Sequence, residues 1–165
     1  MKESRLESMS NRSDLIPEGI EKTTDFPNYL AVSLCISSAQ LSPETITRTV
    51  GIEPSYTRDR GALTRTGMVR QPEFDRYEWQ FREQMDMQSG DDLSKRSELF
   101  INQFLSKLAE AAPIVREFSR DQDVLVQIVY SGRSMPYVGL TSGQIQDIAS
   151  LGARLDYDIM VNDTD

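Results

Sequence analysis

The chain has 165 residues and a formal net charge of −8, with 38% hydrophobic and 27% charged residues, which indicates one globular domain with a sizeable core. The negative charge disfavours nucleic acid as a partner, and no apolar run is long enough to span a membrane. The absence of histidine and the lone Cys35 exclude histidine-activated nucleophiles, an internal disulfide and a structural zinc site.

The N-terminal stretch, residues 1–25, differs in composition from the rest of the chain. It is rich in Ser, Glu and Asn, shows no sustained hydrophobic period and lacks the apolar segment of a signal peptide. We therefore predict a disordered or loosely attached tail, followed by a single α+β domain over residues 26–165. A lone cysteine suits a reducing compartment, so we expect the protein to be cytoplasmic.

The first predicted strand covers residues 30–37, where larger apolar residues alternate with smaller ones. A short helix should follow, because Ser42 is a favourable N-cap and Pro43 suits the first helical position. Gly51 provides a stop, and Pro54 prevents the helix from continuing. A second strand is predicted within residues 64–70.

A third strand is predicted around Trp79, with Tyr77 and Phe81 on the same face. The longest helix should begin at Asp91 or Ser94 and break at Pro113, with a second helical segment over residues 114–118.

The C-terminal part is predicted to contain two further strands. Apolar residues alternate over 123–130 in the fourth strand, and a helix capped by Thr141 or Ser142 should end at Gly152. The last strand, residues 155–161, has apolar side chains on one face and Asp156 and Asp158 on the other.

The predicted order is β-α-β-β-α-β-α-β. Mixed hairpin and helical connections indicate an α+β fold, in which a mainly antiparallel sheet has helices packed on one face. The first six elements have the order of a ferredoxin-like β-α-β-β-α-β core, to which a C-terminal α-β is added.

One candidate site is the sheet face opposite the helices. The predicted alternation places Glu78, Gln127, Asp156 and Asp158 there, which suggests a surface for a basic protein partner. The simplest alternative is the solvated side of a two-layer domain. Asp156 and Asp158 also share a face as an acid–base or metal-binding pair would, but no third group accompanies them.

A second candidate site is an arginine-rich loop that contains Arg58, Arg60, Arg65 and Arg70. Guanidinium groups suit phosphate or carboxylate ligands, and glycines in this segment permit close approach. The alternative is that these arginines pair with the acidic remainder of the chain.

The order of motifs resembles a bacterial family of small domains of unknown function. The matching positions are Leu41, Pro43, Glu44, Ile46, Gly51, Ile52, Pro54, Gly61, Trp79, residues 124–130, Gly139, Leu140 and residues 151–161. The resemblance covers residues 29–162. It implies the fold but supplies no catalytic residues, and similar small domains often accompany secreted toxins as immunity proteins.

These observations lead to one functional expectation and one alternative. We expect a non-enzymatic, cytoplasmic protein-binding domain, an immunity-type inhibitor that occludes a basic toxin with its acidic surface. The alternative is a small-molecule or anion sensor that uses the arginine-rich loop. Neither reading requires a cofactor or a metal ion, and no sequence feature sets the oligomeric state.

Overall fold

The computed structural model of the protein describes residues 28–61, 75–87, 93–132 and 139–161. Within these ranges the elements are β1 (Tyr29–Ser38), α1 (Pro43–Val50), β2 (Tyr56–Arg58), β3 (Tyr77–Asp86), α2 (Leu93–Leu108), α3 (Ala112–Phe118), β4 (Asp123–Gly132), α4 (Ser142–Ser150) and β5 (Arg154–Val161). The succession of strands and helices agrees with the predicted order, including a helical break next to Pro113.

The five described strands form one mixed sheet in the order β2-β3-β1-β4-β5. The pairs β1–β3, β1–β4 and β2–β3 are antiparallel, whereas β5 runs parallel to β4. The prediction of a mainly antiparallel α+β fold is therefore confirmed. The parallel pair arises because α4 returns the chain to the same end of the sheet before β5 begins.

The second described strand lies earlier in the chain than residues 64–70, which are outside the described residues. It is β2, and its residue Tyr56 faces Gln80 of β3. Ser55 holds the start of this strand, because its backbone N–H donates to the Gln80 carbonyl at 2.8 Å. The Ser55 side chain also donates to the Arg82 carbonyl at 3.0 Å and accepts from the Arg82 N–H at 2.9 Å.

The hydrophobic core lies between one face of the sheet and the helices. Alternate residues of β1 and β4 point into it and are almost fully buried: Leu30, Val32, Leu34, Ile36, Val124, Val126, Ile128 and Tyr130. Trp79 is 1% exposed and donates its indole N–H to Thr47 Oγ1 at 3.0 Å, which ties β3 to α1. Phe81 stacks on Phe104 with ring centroids 5.4 Å apart, which ties β3 to α2.

The ends of α1 follow the local sequence signals closely. The Ser42 hydroxyl accepts a hydrogen bond from the Thr45 N–H at 3.3 Å, and Pro43 occupies the first turn. Gly51 ends the helix with φ of 75°, a left-handed conformation that favours glycine.

Gln144 fixes the start of α4 against α2, although it is a polar residue with only 1% of its surface exposed. It forms a capping box with Thr141: the Thr141 N–H donates to Gln144 Oε1 at 2.9 Å, and the Gln144 N–H donates to Thr141 Oγ1 at 3.2 Å. Its Nε2 donates to the Glu98 carbonyl at 3.1 Å and to Asn102 Oδ1 at 2.9 Å. Every polar atom of this buried amide therefore has a partner.

Replacing Gln144 with alanine should lower the free energy of unfolding by about 2 kcal/mol, because the capping box and the hydrogen bonds to Glu98 and Asn102 are lost and a buried side chain is removed. Urea denaturation would measure the change. Gln146→Ala is the matched control, since Gln146 is exposed on the same helix; its effect should stay within about 0.5 kcal/mol. Equal effects of the two substitutions would contradict the structural role of Gln144.

Candidate functional site

The face of the sheet away from the core, here called the open face, brings three of the four predicted partner-binding residues together. Asp156 of β5 lies opposite Gln127 of β4, and Asp158 lies one position further along the same face of β5, opposite Val129. Both aspartates are exposed, whereas Gln127 is half-buried. The predicted alternation of the last strand is thus present in the sheet.

Glu78 is on the open face but does not belong to that group. It lies on β3, and the three strand spacings between β3 and β5 alone separate it from the aspartates by at least about 14 Å. It forms an ion pair with Arg58 of β2. Because its charge is neutralised locally, Glu78 contributes little to an acidic surface on β5.

The described part of the arginine-rich loop is engaged with carboxylates. Arg58 pairs with Glu78, and the Arg60 Nε lies 3.1 Å from Asp75 Oδ2. Arg60 also donates to the Ala39 carbonyl at 3.3 Å. Arg65 and Arg70 lie outside the described residues. At Arg58 and Arg60 the arrangement matches the alternative considered above, in which the arginines pair with acidic residues.

The centre of the open face is less exposed to solvent than the alternation of residues along β1 predicts. Ala31 and Ser33 of β1 are 0% and 2% exposed although they point away from the core. Ser33 lies between Arg82 and Gln127 in the sheet register, and these longer side chains flank it on both sides. Short residues on a central strand are covered by their neighbours, so the accessible part of this face lies towards its edges.

Cys35 also lies on the open face of β1. Burial raises the pKa of its thiol, while a hydrogen bond with Gln80 and the positive charge of Arg82 act in the opposite direction. The net result is a thiol that stays protonated at neutral pH and is a poor nucleophile. Within the described ranges, no group of three or more acidic or cysteine side chains is placed to hold a metal ion.

The outer strand β5, here called the β5 edge (Arg154–Val161), combines exposed acids with exposed apolar side chains. Leu155, Met160 and Val161 are 44%, 41% and 39% exposed. They are three of the six large hydrophobic residues that are exposed in the described part of the chain. Sequence reasoning missed this exposure, although a final strand after the last helix is a natural candidate for a sheet edge.

The remaining residues of the β5 edge anchor it to the domain. Tyr157 and Ile159 are partly buried against the core, and burial raises the pKa of Tyr157 to about 12. At the start of the strand, the Arg154 guanidinium binds both carboxylate oxygens of Asp123 at 2.9 and 3.1 Å. Asp156 and Asp158 are therefore held in a fixed strand with their carboxylates in solvent.

In the described residues no helix is both long and apolar enough to cross a membrane. No curated protein and no solved structure matches the chain. Residues 27–162 match the family described as Domain of unknown function (DUF4279). The match begins two residues before β1 and ends one residue after β5, so it covers the whole of the described fold. The chain therefore belongs to this family of domains of unknown function.

Proposed function

We propose that this protein is a non-enzymatic protein-binding domain that docks a basic partner on the β5 edge. The observation that carries the proposal is that one outer strand exposes Asp156, Asp158 and Met160 on one face and Leu155 and Val161 on the other. Apolar side chains supply contact area, and the acids select a partner of opposite charge. The acidic side chains also attract a basic partner over a distance and so raise the rate at which the two proteins associate.

The biological role that we propose is inhibition of a bacterial toxin in the cytoplasm, by occlusion of a basic active-site cleft. The small size and the net charge of −8 support this role, because an acidic inhibitor is attracted to a cleft that binds an anionic substrate. We also propose that the first four strands with α1 and α2 form a ferredoxin-like unit, to which α4 and β5 add the proposed binding edge. The antiparallel order β2-β3-β1-β4 supports this assignment.

The test is charge reversal of both aspartates, Asp156→Lys with Asp158→Lys, in the full chain. The partner is first captured from a lysate of the source cells with the unaltered tagged protein and is then purified. Its association rate constant with the double variant should fall at least about tenfold at low ionic strength, and the difference should shrink as salt is added. Stopped-flow fluorescence or surface plasmon resonance would measure both rates.

The matched control is Glu110→Lys with Asp147→Lys, which makes the same change in net charge at exposed positions outside β5, in the turn after α2 and in α4. This control should slow association much less, because only the general field of the protein changes. Equal rates for the two double variants would contradict the β5 edge as the binding surface.

A further inference from the structure

The β5 edge has backbone groups directed away from the sheet as well as exposed side chains. β4 pairs with β5 over its whole length, from Arg154 to Val161, and β5 is the last strand of the sheet that the structure describes. An outer strand presents a row of N–H and C=O groups on its free side, which can template pairing with another chain. The question is which kind of chain this edge accepts.

The two aspartates argue against a second copy of this protein. A second copy of the protein could pair its own β5 with this one in an antiparallel arrangement with two-fold symmetry. The two registers that pair the most residues are centred on Tyr157 and on Asp158. The first register sets Asp156 opposite Asp158 at two places, and the second sets Asp158 opposite its own copy. Like charges directly opposite each other destabilise a pair of strands, so the acids disfavour self-pairing.

The same side chains favour a cationic strand. Asp156 and Asp158 are two residues apart and share the open face, so they match lysine or arginine at alternate positions of an incoming strand. On the opposite face, Leu155 and Val161 offer apolar contacts beside the partly buried Ile159. The pattern that fits is therefore basic on one face and apolar on the other.

We propose that the β5 edge binds an extended segment of a basic protein by strand addition, with cationic side chains over Asp156 and Asp158. Main-chain hydrogen bonds give such complexes their affinity, and alternate side chains give them specificity. This inference rests on the proposed function, since it specifies how the basic partner is held.

The test uses the full chain labelled with nitrogen-15 and a short capped peptide in which lysine alternates with valine. Titration should shift the backbone amide resonances of residues 154–161. It should also slow hydrogen exchange of the alternate β5 amides that point away from β4. A peptide with glutamate in place of lysine should bind at least about tenfold more weakly. A lysine peptide that is N-methylated at the backbone amides facing β5 should also bind at least about tenfold more weakly, because it cannot donate main-chain hydrogen bonds to β5.

The outcomes separate the binding mode from the proposed function. Equal binding of the methylated and unmethylated lysine peptides would overturn strand addition and leave the acidic surface in place. Equal binding of the lysine and glutamate peptides would overturn the charge selection on which both rest. Failure of the lysine peptide to perturb residues 154–161 would overturn strand addition, as would concentration-dependent dimerisation through β5 in sedimentation experiments.

Discussion

Replacing Phe104 with alanine is expected to lower the free energy of unfolding by about 3–5 kcal/mol, a large part of the stability of a domain this size. Phe104 is 0% exposed, and its ring stacks on Phe81 at an interplanar angle of 14°. The substitution removes the aromatic contact between α2 and β3 and leaves a cavity in the middle of the core. The lost contact and the cavity both lower the free energy of unfolding.

The experiment needs no added label, because Trp79 is the single tryptophan and is 1% exposed in the native protein. Its fluorescence should report unfolding in urea. Gln103→Ala is the matched control, since Gln103 is exposed on the same helix, and it should change stability by no more than about 0.5 kcal/mol. A loss below about 1 kcal/mol for Phe104→Ala would show that the surrounding core closes over the space, contrary to this expectation.

Gly132→Ala should destabilise the protein by about 2–3 kcal/mol, because the added methyl group has no room at the end of β4. A Cβ atom at this position would lie 2.1 Å from the Tyr130 hydroxyl oxygen, 2.5 Å from Tyr130 Cζ and 2.6 Å from Asn28 Oδ1. Tyr130 is 1% exposed, so its ring is held in place by the core and cannot move aside freely. The same urea denaturation would measure the loss.

Gly143→Ala provides the opposite case for the same chemical change. Gly143 lies in the first turn of α4, and a Cβ there meets nothing closer than Thr141 Oγ1 at 3.8 Å. Alanine should therefore be neutral or stabilise the helix by about 0.5 kcal/mol.

The steric explanation for Gly132 can be tested with a double-mutant cycle. Tyr130→Phe should reduce the cost of Gly132→Ala in this cycle, since it removes the atom closest to the added methyl group. Additive effects would contradict the steric explanation.

The helix ends could be predicted because their determinants are local. Ser42, Gly51 and Thr141 act on backbone groups within a few residues, so the sequence around each one contains the whole signal. The parallel pairing of β5 with β4 could not be predicted in this way. It depends on where α4 places the chain relative to the rest of the sheet, which no nearby residue specifies.

The candidate site was predictable to a similar extent. The period of two in the last strand placed Asp156 and Asp158 on one face without knowledge of the strand order. The separation of Glu78 from them, and its pairing with Arg58, follow only from the positions of β2 and β3 in the sheet. The same is true of Ala31 and Ser33, whose burial comes from the strands on both sides of β1.

The central position of β1 has a consequence for synthesis on the ribosome. This strand is made early, but both of its neighbours, β3 and β4, are made later, and the chain from Ser38 to Asp123 must be translated before β4 exists. At rates of about 5–20 residues per second this takes roughly 4–17 s. During that time a run of apolar side chains, including Leu30, Val32 and Leu34, has at least one unpaired edge. Nascent chains of this protein should therefore depend on chaperones more than its small size suggests.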